Sequence, residues 1–142
     1  MRRRPSILFL SVSNSARSQL AEGLARAMLG ERAQVQSAGS KPSTHVHPCA
    51  IEVMREVGVD LSTHAVKSIA SIDPATVDLV VTLCPEEVCP SSLSNVRRFK
   101  WSISDPTTTP ELPHDQLLHQ FRSTRDMILR QLDQLVASEL LL

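Results

Sequence analysis

This chain lacks any apolar run approaching the ~20 residues that a membrane-spanning helix requires. It lacks an excess of either charge: Lys+Arg and Asp+Glu each number 15, so nothing in the balance calls for nucleic acid or an anionic membrane as partner. Cysteine is scarce. Three thiols are too few for the disulfide framework of a small secreted domain, and their odd number leaves one unpaired. Arg2-Arg3-Arg4 ahead of Ile7-Leu8-Phe9-Leu10 has the look of a secretion signal, but the apolar part stops at Ser13-Asn14-Ser15. No internal repeat and no low-complexity linker is visible. Hydrophobic residues at 42% and charged residues at 21% are ordinary for a globular chain and exclude a disordered one. With 142 residues there is material for one core and not for two. The expectation is a single cytoplasmic domain spanning residues 1–142.

Hydrophobic patterning supplies the architecture. Ile7-Leu8-Phe9-Leu10 is a short continuous apolar run, as a strand buried on both faces requires. After the polar stretch Ser11 to Ser18, Leu20, Leu24, Ala27 and Met28 fall on one helical face, with Gly30 placed as a C-cap. Val35 to Ala38 reads as a second strand, closed by Gly39. Pro48 suits the first turn of a helix that carries Ala50, Ile51, Met54 and Val57 inward and stops at Gly58. Asp78 to Leu83 is the strongest strand, and Val96 to Trp101, loaded with Arg97, Arg98 and Lys100, reads as a sheet edge. From about His114 onward, Leu117, Phe121, Ile128, Leu132 and Leu135 recur at helical spacing. This alternation predicts an α/β fold: an open, mainly parallel four-stranded sheet with helices on both faces. Ligands of such sheets sit beyond the carboxyl ends of the strands, at a helix N-terminus. Ser11 to Ser18 occupies that place.

A loop of small residues between a buried strand and a helix can curl until successive N–H groups face one centre, with the helix dipole behind them. Arg17 adds a planar fork suited to two oxygens of a tetrahedral anion. The same composition also suits an ordinary strand-to-helix turn with Ser15 or Ser18 as N-cap. The segment has no glycine and no Gly-Lys-Ser/Thr ending, so it is not a nucleotide-binding loop of the Walker type.

The stretch ILFLSVSNSARSQLAEGLAR resembles the signature of the low-molecular-weight tyrosine phosphatase superfamily, most closely its thioredoxin-coupled arsenate reductase branch. The superfamily motif is Cys-x5-Arg-Ser/Thr after the first strand; here it reads Ser11-x5-Arg17-Ser18. The resemblance continues in order through VQSAGSKP, HPCAIEVMREVGVDLS, DLVVTLCPEEVCP and WSISDPT. It implies that Val12, Ser13, Asn14, Ser15, Ala16, Arg17 and Ser18 bind a tetrahedral oxyanion such as arsenate, phosphate or sulfate. Asn14 would hold the loop's strained backbone, Ser18 would hydrogen-bond the nucleophile, and Asp105 would be the general acid. Cys84 and Cys89 would form the redox relay that releases arsenite, with thioredoxin reducing the resulting disulfide. Cys49 has no counterpart in that relay and reads as structural.

One departure decides the chemistry. The nucleophile position holds Ser11, and a serine hydroxyl stays protonated near neutral pH where a cysteine in the same cradle ionises. No His or carboxylate in the motif is placed as its base. The expectation is therefore a loop that binds oxyanions without turning them over. Two origins fit: a Cys-to-Ser change engineered to trap ligand, or a naturally inactive paralogue. The intact remainder of the site favours the first.

A second departure lies behind the loop. Some arsenate reductases of the family hold potassium through positions matching Asn14, Glu22 and Ser37, completed from the segment aligned with DLSTHAVK. Here Ala65 supplies no side-chain ligand, and Lys67 brings its own charge that could brace Asn14 and Glu22 without an ion. The five histidines show no metal-ligand spacing with the cysteines, so neither a metal nor a cofactor is expected. Two other functions remain open. A tyrosine phosphatase of the same fold needs the loop, Arg17 and Asp105 but no cysteine pair, and it commonly flanks its substrate ring with aromatics. The absence of tyrosine, with one Trp and three Phe, favours a small inorganic substrate instead. A non-catalytic oxyanion-binding protein follows if Ser11 is natural.

Overall fold

The computed structural model describes residues 4–85, 88–107 and 112–140. Glu86 and Glu87, which stand between Cys84 and Cys89 in sequence, lie outside them. Four strands, β1 (Ser6–Ser11), β2 (Gln34–Gly39), β3 (Leu79–Thr82) and β4 (Arg97–Lys100), form one sheet in the order β2-β1-β3-β4. Every pairing is parallel, with Leu10 opposite Thr82 and Ser11 opposite Gly39. The central strand β1 is buried at all six positions, as its unbroken apolar run requires. The cationic strand β4 is the edge the sequence predicts, with Arg97, Arg98 and Lys100 exposed.

Alternating side chains divide the core in two. Ile7, Phe9, Leu79 and Val81 face α1 (Arg17–Leu29), α2 (Pro48–Arg55) and α3 (His114–Leu135), all packed on one side. Leu8, Leu10 and Val80 face the other side, where Val77, Cys84, Val88 and Leu93 close a smaller cluster. Ile69 and Ile72, from around a short 3-10 turn, pack against that cluster. Among the described residues, helical cover on the second face consists of 3-10 turns.

Two details depart from simple periodicity. In α1 the buried apolar set is Leu20, Ala21, Leu24, Ala25 and Leu29, while Ala27 is exposed. This helix contacts α3 as well as the sheet, which turns its buried arc toward Ala21 and Ala25. In α2 the helix ends at Arg55, and Val57 is 47% exposed in the turn that Gly58 completes at φ +79°. Glu56 joins α2 to α3, accepting from Arg122 at 2.7 Å and Arg125 at 2.9 Å. Those hydrogen bonds, Arg122 first, hold its carboxyl down at about 2.

Candidate oxyanion site

The site forms where β1 ends. Each loop carbonyl is drawn outward by a specific donor. Ser40 N–H donates to the Ser11 carbonyl, Lys41 to Val12, Ser43 to Ser13 and His47 to Ser15, at 2.8–3.2 Å. The Gln19 side chain takes the Asn14 carbonyl at 3.2 Å. While the carbonyls are so engaged, the N–H groups of Ser13, Ser15 and Ala16 meet no acceptor among the described residues. Helix α1 then starts at Arg17 with Ala16 as N-cap and no side-chain cap. Neither Ser15 nor Ser18 caps it, so the ordinary-turn alternative does not describe this loop. An uncapped helix start preceded by N–H groups without acceptors is the kind of arrangement that can receive an anion.

Asn14 makes the curl possible. It is the one non-glycine residue with positive φ, +54°, among those described, and it is fully buried. Asparagine tolerates this conformation better than most residues, and its side chain here repays the strain. Asn14 Oδ1 accepts from Lys67 N at 2.8 Å and Gln19 Nε2 at 3.1 Å. Its Nδ2 donates to Ser18 Oγ at 2.8 Å and Ser37 Oγ at 2.9 Å. Ser37 in turn donates to Glu22 Oε1 at 2.5 Å, and Ser18 Oγ lies 2.6 Å from Ser11 Oγ.

Glu22 is 2% exposed and anchors this network from below. Arg26 approaches it at 3.0 Å, Lys67 at 3.4 Å and His64 at 3.5 Å. The sequence placed the Lys67 ammonium on both Asn14 and Glu22. In the structure Nζ reaches Glu22 and the Ala65 carbonyl, at 3.0 Å, while Asn14 is met by the Lys67 backbone N–H. The main chain of Lys67 passes beside Asn14 and directs the flexible side chain away from it. Gln19 Nε2 also donates to the Ala65 carbonyl at 3.0 Å, which fixes its amide orientation. Gln19 Oε1 is then an acceptor at 3.0 Å from His64 Nδ1, so that nitrogen carries the proton. Burial pushes the His64 pKa down, against the pull of Glu22.

Arg17 lies 4% exposed at the mouth of the cradle. Its Nη1 donates to the Ile103 carbonyl at 2.9 Å, and its Nη2 stands 3.8 Å from Asp105 Oδ2. One nitrogen thus ties the loop to the 101–105 segment, and the other faces the acid. Asp105 Oδ1 accepts from the Thr107 N–H and hydroxyl at 2.8 and 2.6 Å, fixing the carboxyl's direction. Cys84 is fully buried at the end of β3, and the half-buried Cys89 packs against the same apolar cluster. No disulfide joins them or Cys49, whose thiol pKa is raised by burial and then by Glu52.

Sequence reasoning missed four contributors. Gln19 stands inside the quoted motif yet has no obvious chemistry. Gly39, His47 and the 40–47 segment act through backbone position, which residue type does not announce. A buried glutamine two residues after an arginine fork was the available signal. No group of three or more His, Cys, Asp or Glu able to hold a metal occurs among the described residues. None of the described helices is long and apolar enough to cross a membrane.

Residues 6–140 match the family model described as low molecular weight phosphotyrosine protein phosphatase. Arsenate reductase 2 of Staphylococcus saprophyticus is 45% identical over 104 residues, 71% of this chain and 78% of that protein. The arsenate reductase of Halalkalibacterium halodurans is 39% identical over 124 residues, 86% and 88% of the two chains. A solved arsenate reductase in its phosphate-binding state superposes with a TM-score of 0.80 at 30% identity, covering 94% of this chain and 97% of that one. The chain therefore belongs to the low molecular weight phosphotyrosine protein phosphatase family, among relatives that bear the name arsenate reductase.

Proposed function

We propose that this protein binds arsenate, or a similar tetrahedral oxyanion, in the Ser11–Ser18 loop as an arsenate-reductase-type protein whose first chemical step is blocked. The observation that carries the reading is the loop itself: N–H groups without acceptors, a buried Arg17 and an uncapped helix start beside Asp105. Cys84 and Cys89, sharing one apolar cluster, suit the relay. Reducing As(V) to As(III) takes two electrons, which two thiols supply on becoming a disulfide; thioredoxin would return them. The reductase chemistry also calls for a thiolate under the anion, and Ser11 offers a hydroxyl with no base on it. A cytoplasmic setting follows from dependence on thioredoxin. A tyrosine phosphatase is disfavoured, because Phe9, Trp101 and Phe121 are buried in the core and Phe99 lies on the edge strand. None is left to flank an aryl phosphate.

The test is thioredoxin-coupled arsenate turnover. Background rate for the unmodified chain and thiol-dependent turnover for Ser11→Cys are expected. Robust turnover with Ser11 in place would overturn the block. No arsenate binding by either protein would overturn the site.

A further inference from the structure

The hydrogen bonds around Ser11 can be followed proton by proton, and they end at the ligand position. The Asn14 amide orientation is fixed, because its Oδ1 receives the Lys67 backbone N–H, which can only donate. Both Nδ2 protons are therefore committed, one to Ser18 Oγ and one to Ser37 Oγ. Ser37 spends its single proton on Glu22. Ser18 is fully buried and still has its own proton to place. Its one remaining partner is Ser11 Oγ, at 2.6 Å. Were Ser11 the donor in that pair, the Ser18 proton would be stranded without an acceptor in a dry interior. Ser18 therefore donates to Ser11. Ser11 Oγ also receives the Asn14 backbone N–H at 3.3 Å.

Both lone pairs of the Ser11 hydroxyl are thus occupied, and its proton is unassigned. The side chain is 2% exposed at the floor of a cradle whose other walls are N–H groups and Arg17, so the available direction is the anion's. A thiolate could accept the same two bonds and keep a third lone pair for attack; a neutral hydroxyl cannot. Resting on the oxyanion reading above, the geometry points to Ser11 as a ligand-binding donor in a receptor for tetrahedral dianions, with the anion held by donors alone on the loop side and no bond to it formed. Hydrogen arsenate, hydrogen phosphate and sulfate share this chemistry.

Calorimetry with each of the three anions separates the outcomes, using the unmodified protein, Ser11→Ala, Ser11→Cys and Ser18→Ala, each first checked for a cooperative thermal transition. Removing a hydrogen bond to a charged group predicts roughly ten-fold or greater weakening in Ser11→Ala. Ser11→Cys should bind more weakly as pH rises and the thiol ionises against the anion. Ser18→Ala carries the sign of the argument. If Ser18 donates to Ser11, its loss leaves affinity equal or lower; a gain would mean that Ser11 had been donating inward, and would overturn the assignment. Equal affinity in Ser11→Ala would overturn it too. So would a phosphoryl adduct mapped to Ser11 after incubation with an aryl phosphate, since that needs an attacking lone pair. These three results leave the oxyanion site standing. An unmodified protein that binds none of the anions removes the site and this inference together. The arm with the tightest binding identifies which dianion the receptor prefers.

Discussion

Gly39 lies directly against Asn14: a Cβ built on Gly39 would stand 2.9 Å from Asn14 N and 2.6 Å from the Val12 carbonyl oxygen. Both are backbone atoms of the cradle, and neither can yield without unmaking it. Gly39→Ala is expected to cost about 1–3 kcal/mol of stability and to abolish measurable oxyanion binding. Gly23→Ala is the matched control. Its Cβ would meet only side-chain ends, Leu61 Cδ2 at 2.8 Å and Met54 Cε at 2.9 Å, so melting temperature should move while anion affinity does not. Unchanged affinity in Gly39→Ala would show that the loop does not need this close approach.

Arg17→Ala removes the fork at the mouth of the cradle together with its tie to Ile103. The charge-assisted contact is worth about 1.5–3 kcal/mol, or roughly ten- to more than hundred-fold in affinity. Arg17→Lys should recover only part of this, since a point charge cannot bond Ile103 and an anion in the same planar arrangement. Calorimetry with arsenate would show equal affinities if the anion lies elsewhere.

Oxidation should distinguish the three cysteines. Cys84 and Cys89 pack in one cluster, whereas Cys49 is 3% exposed on the opposite side of the sheet with its thiol pKa raised. Mild oxidant followed by peptide mapping should therefore link Cys84 to Cys89 and leave Cys49 reduced, and thioredoxin should reverse the link. A bridge to Cys49, or no loss of thiols at all, would count against the relay.

Glu22 is already approached by Arg26, His64 and Lys67, which leaves no call for a monovalent cation beneath the loop. Melting temperature and anion affinity should be the same in potassium and sodium at matched ionic strength. Lys67→Ala should lower both, because Glu22 then loses its ammonium partner. Stabilisation of the unmodified protein by potassium alone would show that the ammonium does not fill the cation's role.

His47 supplies the pH dependence. Its Nδ1 accepts the Cys49 N–H at 3.0 Å as the N-cap of α2, its ring packs on Phe121 at 4.8 Å, and its backbone N–H holds Ser15. Its pKa is lowered from 6.5 by burial and then by His45, with Asp105 opposing. Between the folded value and 6.5 the unfolded chain binds more protons than the native one, so stability falls as pH drops through that window. His64, also lowered, contributes in the same direction. His47→Asn keeps a strong cap without the titration and should flatten the decline in melting temperature between about pH 6.5 and 5. An unaltered slope would assign the whole effect to His64.

The fold was legible because its strands are short apolar runs and its helices carry apolar residues at helical spacing, with Gly30 and Pro48 marking two of the ends. Ile7 to Leu10, the DLVVTL strand and the Pro48 helix start all fall where patterning puts them. Val57 escaped because Gly58 marks the end of the turn and not of the helix. The place of the loop between β1 and α1, with Arg17 at the helix start, was legible from one motif, since that motif is written in residue type. Gln19, Gly39 and His47 were not, since they act by filling, vacating or bonding at points that meet only after the chain has folded. The Lys67 side chain illustrates the boundary: sequence could place a charge near Glu22, but only the path of the main chain decides that its N–H, and not its ammonium, meets Asn14.

The segment that draws the loop carbonyls outward does so with backbone N–H groups alone, from Ser40, Lys41, Ser43 and His47. The side chains of Lys41, Pro42, Ser43, Thr44 and His45 are exposed and take no part in that hold. Shaping the loop and presenting charge at its rim are therefore assigned to different atoms of the same residues. Substitution at 41, 44 or 45 can alter charge and shape at the rim while the bonds that shape the cradle persist, so new preferences can arise here without passing through an unfolded loop.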